Sequence, residues 1–315
     1  GGRLWVGYQG GLGSLDLSSS EPVVKVGQGG TNWGSDTPVL GGSPGAPEVL
    51  VAASREWATV AVYDIVGGDA NLRTAKNVTG NFEEIDLTPD GQQVLTTWGD
   101  GYGYSFPAYS TQDLSQVASY PTQPYPNAID IAADGTIAGG TASWYEPDVH
   151  IYAPDRTTPA REYDFPNTGT SSAADELVPR GLAWAPDESR LFAVSANNQG
   201  VLTLRVMDNP AQEPSTVTVN APTKAQRGKQ LKISGKVVTN RKFAAGASAT
   251  VSRIANPSDG EGTVIATTPL ASDGTFSFTD IPTTLGAVTY TVSYAGDATH
   301  GAATGSATVE VTRGA

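Results

Sequence analysis

Residues that could perform chemistry are few in this chain. Its 315 residues include two histidines, His150 and His300, and no cysteine. Zinc sites need several histidine or cysteine ligands, and Ser-His-Asp or Cys-His catalysis needs a histidine beside the nucleophile. No Asp-x-Asp-x-Asp-Gly calcium loop occurs either. The sequence therefore predicts no cofactor, no metal and no catalytic site of these classes.

Carboxylates are the remaining catalytic candidates. Asp86 and Asp130 occupy the same place in two copies of a repeat, and Asp100 and Glu146 lie in loops. Two facing carboxylates can cleave a glycosidic bond. Because the equivalence of Asp86 and Asp130 favours a structural role, we expect a protein that is not an enzyme. A glycoside hydrolase or lyase that uses such carboxylates is the alternative.

A repeat organises residues 1–209. Pro44, Pro89, Ala133 and Pro186 occupy equivalent positions that are 45, 44 and 53 residues apart. Each follows a short apolar strand and opens a turn before a second strand, as Pro89-Asp90-Gly91 does. That spacing is typical of a four-stranded β-propeller blade. The sequence predicts an all-β fold with about five visible blades.

These blades resemble those of the secreted bacterial β-propellers of the YVTN and lactonase-like group. In that group an apolar strand, Ser-Pro-Asp-Gly and a second strand follow one another, as in Ile85–Gly91 with Val94-Leu95. The resemblance covers about two-thirds of the chain and implies a propeller. Residues 3–26 supply only the last three strands of a blade, so we expect the natural protein to continue upstream and form a ring of about seven blades.

A second domain is predicted at residues 216–313, after a Pro-containing linker at 210–215. Seven short alternating strands in this domain indicate a β-sandwich. Tyr290–His300 and Ser272–Pro282 resemble the bacterial Ig-like repeat of actinobacterial surface and secreted proteins, which usually carries an aromatic residue where His300 stands. The resemblance implies a spacer or adhesive module without catalytic residues.

Aromatic and polar side chains are concentrated in the loops between the second and third strands of the blades, which should share one face of the propeller. The ligand-binding candidates in these loops are Trp57, Trp98, Asp100, Tyr102, Tyr104, Trp144, Tyr145 and Glu146. Aromatic rings beside carboxylates suit sugar rings or peptide segments. We therefore expect a lectin-like binding or adhesion protein whose propeller face recognises a glycan or a protein, with the Ig-like domain as spacer or docking module. A structural subunit of a secreted multi-protein assembly is a further alternative.

Charge and composition indicate where the protein acts. The net charge is −13, and residues 1–214 carry 26 acidic against 10 basic side chains. This excess of acidic groups should repel nucleic acid and anionic membranes. No run of eighteen apolar residues is present, so we expect no membrane insertion. The absence of cysteine and the single methionine leave little for oxidants to damage, which favours a secreted or cell-surface location.

Overall fold

A computed structural model describes residues 3–18, 20–56, 58–78, 82–97, 104–122, 125–143, 147–154, 156–170, 173–255 and 262–313. These residues form β-strands and no helix, which confirms the all-β prediction. The chain divides into two compact units, Gly1–Ala211 and Gln212–Ala315.

The described residues of the N-terminal unit form five antiparallel sheets, numbered in chain order. Sheet 1 comprises β1 (Arg3–Tyr8), β2 (Gly11–Asp16) and β3 (Val23–Gln28). Sheet 2 comprises β4 (Val39–Gly41), β5 (Val49–Ala53), β6 (Thr59–Val66) and β7 (Asp69–Asn77). Sheet 3 comprises β8 (Ile85–Leu87), β9 (Gln93–Thr96), β10 (Ser105–Ser110) and β11 (Gln116–Pro121). Sheet 4 comprises β12 (Pro126–Ile131), β13 (Ile137–Thr141), β14 (Val149–Tyr152) and β15 (Arg161–Tyr163). Sheet 5 comprises β16 (Glu176–Trp184), β17 (Arg190–Ala196) and β18 (Leu202–Asp208).

Consecutive sheets pack face to face, and each of the four pairs shares a hydrophobic core. One buried pair marks each core in turn: Leu12 with Tyr63, Val62 with Ile85, Phe106 with Ile129, and Val149 with Leu191. Sheets 2, 3 and 4 have a neighbour on both sides, so the middle of β6 and all of β13 are buried without alternation. This stacking of small sheets is propeller-like.

The two terminal sheets each keep one apolar face in solvent. Val24 and Val26 on β3 are exposed, as are Leu202 and Leu204 on β18. Val26 is 70% exposed and Leu204 is 65% exposed, although both strands have the apolar composition of a core strand. Their exposure follows from the position of sheets 1 and 5 at the ends of the series.

In the C-terminal unit, residues 212–255 and 262–313 form two sheets. Sheet 6 comprises β19 (Thr216–Asn220), β21 (Leu231–Val238) and β24 (Thr275–Asp280). Sheet 7 has the order β20 (Lys224–Gln226), β26 (Ala303–Thr312), β25 (Gly286–Tyr294), β22 (Ser248–Ile254) and β23 (Thr263–Pro269). Ile233 and Phe276 of sheet 6 share one core with Val251 and Val292 of sheet 7, so the unit is a β-sandwich.

His300 occupies an aromatic position in this sandwich. Its ring is buried, stacks on Phe243 with centroids 4.6 Å apart, and meets Tyr294 edge-on at 6.4 Å. The Asp297 carboxylate lies 2.9 Å from its Nδ1 and accepts its backbone N–H at 2.8 Å. The loop that carries His300 also bonds the predicted linker, because the Glu213 N–H donates to the Thr299 carbonyl at 3.0 Å.

Candidate functional site

The first strands of sheets 2 to 5 are β4, β8, β12 and β16. We call them the inner strands of the N-terminal unit. At the upper end the inner strands begin and the second strands finish, so the upper end carries the loops between second and third strands. At the lower end short turns join inner to second strands. The two ends are separate candidate sites.

Of the predicted ligand-binding residues, Tyr104 is the one within the described part of the chain. It lies directly before β10 at the upper end, its side chain is 54% exposed, and its carbonyl accepts the Thr122 N–H at 2.8 Å. The other seven lie outside the described residues: Trp57, Trp98, Asp100, Tyr102, Trp144, Tyr145 and Glu146.

A second exposed tyrosine at the upper end was not predicted. Tyr125 directly precedes β12, is 49% exposed, and its carbonyl accepts the Ala142 N–H at 3.0 Å. Its φ is 64°, a conformation that costs a bulky side chain about 1–3 kcal/mol. Strain of this size is often found at functional positions. The proline-rich stretch 121–126 was the sequence signal that Tyr125 lies between two strands rather than within one.

A charged cluster lies at the same end of the unit. The Arg55 guanidinium forms an ion pair with the Glu83 carboxylate. Arg180, in a bulge of β16, donates from Nε to the Glu83 carbonyl at 2.9 Å and has a φ of 58°. The ion pair remains partly exposed on both sides, so its groups are available to a polar ligand. We call Arg55, Glu83 and Arg180 the upper cluster.

Three carboxyl groups on the inner-strand side are used to join sheets. Glu84 accepts the Ile129 N–H at 2.8 Å, Asp86 accepts the Ile131 N–H at 2.8 Å, and Asp130 accepts the Trp184 N–H at 2.6 Å. In each case the acceptor belongs to one sheet and the amide to an inner strand of the next. These bonds satisfy amides that inner strands direct toward the preceding sheet.

Burial sets the protonation of these groups. It raises the pKa of Glu84 to about 7 and that of Asp86 to about 8, and it also raises the pKa of Asp130. Repulsion from Asp130 adds to the increase at both Glu84 and Asp86. Glu84 and Asp86 are therefore partly protonated near neutral pH.

Asp86 has little freedom to act on a substrate. Its Oδ2 accepts the Ile131 N–H, and its Oδ1 accepts the Leu87 N–H at 2.8 Å. A general acid or nucleophile must direct an oxygen toward the scissile bond. Of the other catalytic candidates, Asp130 holds the Trp184 amide, and Asp100 and Glu146 lie outside the described residues.

A cavity of about 460 Å³ opens at the lower end. The turns that follow all four inner strands line this cavity, and so do Asp86 and Asp130. Its walls are Gly42, Ser43, Pro44, Gly45, Asp86, Leu87, Pro89, Asp130, Ile131, Ala132, Ala133, Trp184, Ala185, Pro186 and Glu188. The cavity is large enough for a small polar ligand, although Trp184 is already engaged, since its Nε1 donates to the Asp130 carbonyl at 3.1 Å.

His150 is buried away from both ends. Its Nε2 lies 3.7 Å from the Glu162 carboxylate, and among the described residues neither ring nitrogen has a hydrogen-bond partner. Burial lowers its pKa to about 4, so the ring is neutral at physiological pH. Within the described ranges, no three His, Asp or Glu side chains are grouped so that they could hold a metal ion. A search of the same ranges for a helix long and apolar enough to cross a membrane finds none.

Comparison with known proteins finds only distant structural similarity. No family model and no curated protein matches the sequence. Among solved structures, a chain of the mitotic checkpoint complex is 13% identical over 65% of this chain and 59% of its own length, with a TM-score of 0.47. TolB from Acinetobacter baumannii is 12% identical over 90% of this chain and 65% of its own length, with a TM-score of 0.43. A 6-phosphogluconolactonase-type protein from Bacteroides uniformis is 13% identical over 65% of this chain and 68% of its own length, with a TM-score of 0.39. This chain spans under two-thirds of the length of the mitotic checkpoint complex chain and of TolB.

Proposed function

We propose that this protein is a secreted or cell-surface recognition protein whose upper end binds a glycan. The observation that carries the proposal is the placement of two exposed tyrosines, Tyr104 and Tyr125, at the end that also presents the upper cluster. Tyrosine rings stack on the apolar faces of sugars, and arginine and carboxylate groups bond their hydroxyls. A protein partner at the same end is the alternative occupant.

The C-terminal sandwich is proposed to be an Ig-type spacer or docking module. Its strand order supports this, because β19, β21 and β24 face a second sheet in which β26, β25 and β22 are adjacent. That arrangement corresponds to strands A, B and E facing G, F and C of an Ig domain. The sheets of the N-terminal unit are proposed to belong to a ring of about seven blades. The remaining blades of this ring would cover the exposed faces of sheets 1 and 5.

A carboxylate-dependent hydrolase or lyase at the lower end is the second candidate function. It is favoured by one observation, that Asp86 and Asp130 both line the lower cavity and both have raised pKa values. A protonated and an ionised carboxyl in one cavity could serve as acid and base. The hydrogen bonds that hold both groups to main-chain amides weigh against it.

Binding to a glycan array and to cell-wall polysaccharide tests the proposed function. The full chain is expected to retain a saturable ligand, and Tyr104→Ala and Tyr125→Ala should each weaken binding about tenfold, since a stacked aromatic contributes about 1 kcal/mol or more. Val117→Ala is the matched control, because Val117 is 52% exposed on β11 of the same sheet as Tyr104. Each variant should keep the unfolding midpoint of the parent.

Three results would count against this account. Equal binding by the parent and both tyrosine variants would remove the upper end as the site. Loss of binding in Ala133→Trp, which narrows the lower cavity, would move the site to the lower end. Capture of a protein but of no polysaccharide would replace the glycan with a protein partner.

A further inference from the structure

Arg180 lies on a bulge of β16. Four residues of this strand, 178–181, lie opposite the single residue Val194 of β17. Gly181 is required at the end of the bulge, because a Cβ at this position would lie 2.7 Å from the Val178 carbonyl oxygen. Arg180 has a φ of 58°, a conformation that long side chains rarely adopt. The bulge therefore holds the backbone of Arg180 in a conformation that a regular strand would not give it.

The side chain of Arg180 reaches past the neighbouring sheet. Its Nε donates to the carbonyl oxygen of Glu83 at 2.9 Å, and Glu83 lies just before β8 of sheet 3, whereas Arg180 belongs to sheet 5. The guanidinium is thereby fixed at the upper end, where the inner strands begin, and the residue is exposed. Among the described residues, neither terminal nitrogen of Arg180 has a hydrogen-bond partner. The N–H groups of Nη1 and Nη2 are therefore available to a ligand.

The charge of Arg180 is not matched by a carboxylate. Six other basic side chains of the N-terminal unit form ion pairs with carboxylates: Arg3, Lys25, Arg55, Arg73, Arg190 and Arg205. Within the described ranges no carboxylate lies at ion-pair distance from Arg180, although residues 1–214 carry 26 acidic against 10 basic side chains. An exposed arginine that is unpaired in so acidic a unit indicates a role in binding rather than in folding.

The two glutamates beside Arg180 both have other partners. The Glu83 carboxylate forms an ion pair with Arg55. The Glu84 carboxyl accepts the Ile129 N–H, and burial raises its pKa to about 7, so it is partly protonated near neutral pH. The upper cluster and Glu84 together thus carry a net positive charge. Charges farther than about 8 Å are largely screened at physiological ionic strength, so this local excess and not the acidity of the whole unit selects the ligand.

A carboxylate is the group that fits the free nitrogens of Arg180, because an arginine binds it through two parallel N–H···O bonds. The exposed rings of Tyr104 and Tyr125 at the same end fit the apolar face of a sugar. A hexuronic acid combines the two, since it carries a carboxylate on a sugar ring. We propose that the glycan bound at the upper end contains uronic acid units and that Arg180 binds their carboxylate. This inference rests on the proposed function and specifies its ligand.

Isothermal titration calorimetry with the full chain tests this site. The probes are oligomers of galacturonic, glucuronic and mannuronic acid. The methyl ester of each oligomer is the comparison ligand, because it has the same sugar rings without the charge. We expect at least one of the acids to bind, and its methyl ester to bind about tenfold more weakly or worse, because hydrogen bonds to an ionised acceptor are stronger than those to a neutral one.

Variants of Arg180 locate the carboxylate. Arg180→Gln should lower the affinity for the acid about tenfold and leave the affinity for the methyl ester unchanged, so that the variant no longer distinguishes the two ligands. Arg180→Lys keeps the charge without the paired nitrogens and should retain part of the preference for the acid. Arg190→Gln is the matched control and should bind like the parent, because Arg190 is an exposed arginine of the same sheet that pairs with Asp208 at the lower end.

The methyl ester also reports whether each variant is folded, since its binding requires an intact upper end. Equal affinity of the parent for the acid and the ester, or an unchanged preference for the acid in Arg180→Gln, would overturn this inference and leave the proposed function in place. Binding of neutral glycans alone would do the same. Absence of binding to any glycan, charged or neutral, would overturn both.

Discussion

The N-terminal unit is expected to lose stability as the pH rises from about 5 to about 8. Burial raises the pKa of Glu84 and of Asp148 to about 7 and that of Asp86 to about 8, so these groups bind protons more tightly when folded than when unfolded. Their stabilising contribution is complete below their unfolded pKa values near 4 and disappears as the pH passes through the folded values. His150 acts in the opposite direction, and only between pH 4 and 6.5, because burial lowers its pKa to about 4. The carboxyl groups outnumber it, so the net effect is a loss of several kcal/mol, with each carboxyl group contributing about 1.4 kcal/mol per pH unit.

Urea unfolding followed by tryptophan fluorescence measures this effect in the full chain, because all six tryptophans lie in the N-terminal unit. Asp86→Asn should reduce the slope by about 1.4 kcal/mol per pH unit, since it removes one proton that the folded state takes up. Asp113→Asn, at an exposed turn, is the control and should leave the slope unchanged above pH 5, because hydrogen bonds from Ser115 lower the pKa of Asp113. Stability that increases between pH 6.5 and 8 would show that the inner carboxyl groups are not buried as described.

The second large effect is expected from Gly140 in β13. Every residue of this strand is buried, and a Cβ at position 140 would lie 1.9 Å from Cδ2 of the buried Leu177. The absence of a side chain is thus what lets sheet 5 approach sheet 4. Gly140→Ala should lower the free energy of unfolding by about 2–3 kcal/mol through overpacking.

Two further variants make this test specific. Gly42→Ala is the matched control, because its Cβ has open space and the substitution should change stability by less than about 1 kcal/mol. Gly140→Ala combined with Leu177→Ala should be less destabilised than the two single variants together imply, with a coupling of about 1 kcal/mol or more. Additive effects would mean that the two residues do not share the contact.

The repeat could be predicted because its signals are local. Pro89-Asp90-Gly91 and Ala133-Asp134-Gly135 form the turns that the sequence indicates, with the Gly91 and Gly135 N–H groups bonded three residues back. The equivalence of Asp86 and Asp130 could also be predicted from the repeat. Their role could not, because each carboxylate bonds an amide 45 or 54 residues away, and no local pattern identifies that partner.

The upper end was predictable only in part. Tyr104 was a candidate because it stands in an aromatic loop, whereas Tyr125 and Arg180 have no pattern around them that indicates binding. A positive φ at both positions and the bulge in β16 orient them, and these are properties of the folded backbone. The exposure of Val26 and Leu204 could not be predicted either, because an alternating apolar strand has the same sequence pattern whether or not another sheet covers it.

Recognition without catalysis is the central claim, and one titration tests it most directly. The ligand retained on the array is titrated into the full chain and into Asp86→Asn, and its recovery after prolonged incubation is measured by mass spectrometry. The account predicts that the two dissociation constants agree within about twofold, because Asp86 stabilises the fold and does not contact the ligand. It also predicts that the ligand is recovered unchanged. Cleaved or eliminated product that forms with the parent and not with Asp86→Asn would contradict it and establish the carboxylate-dependent enzyme instead.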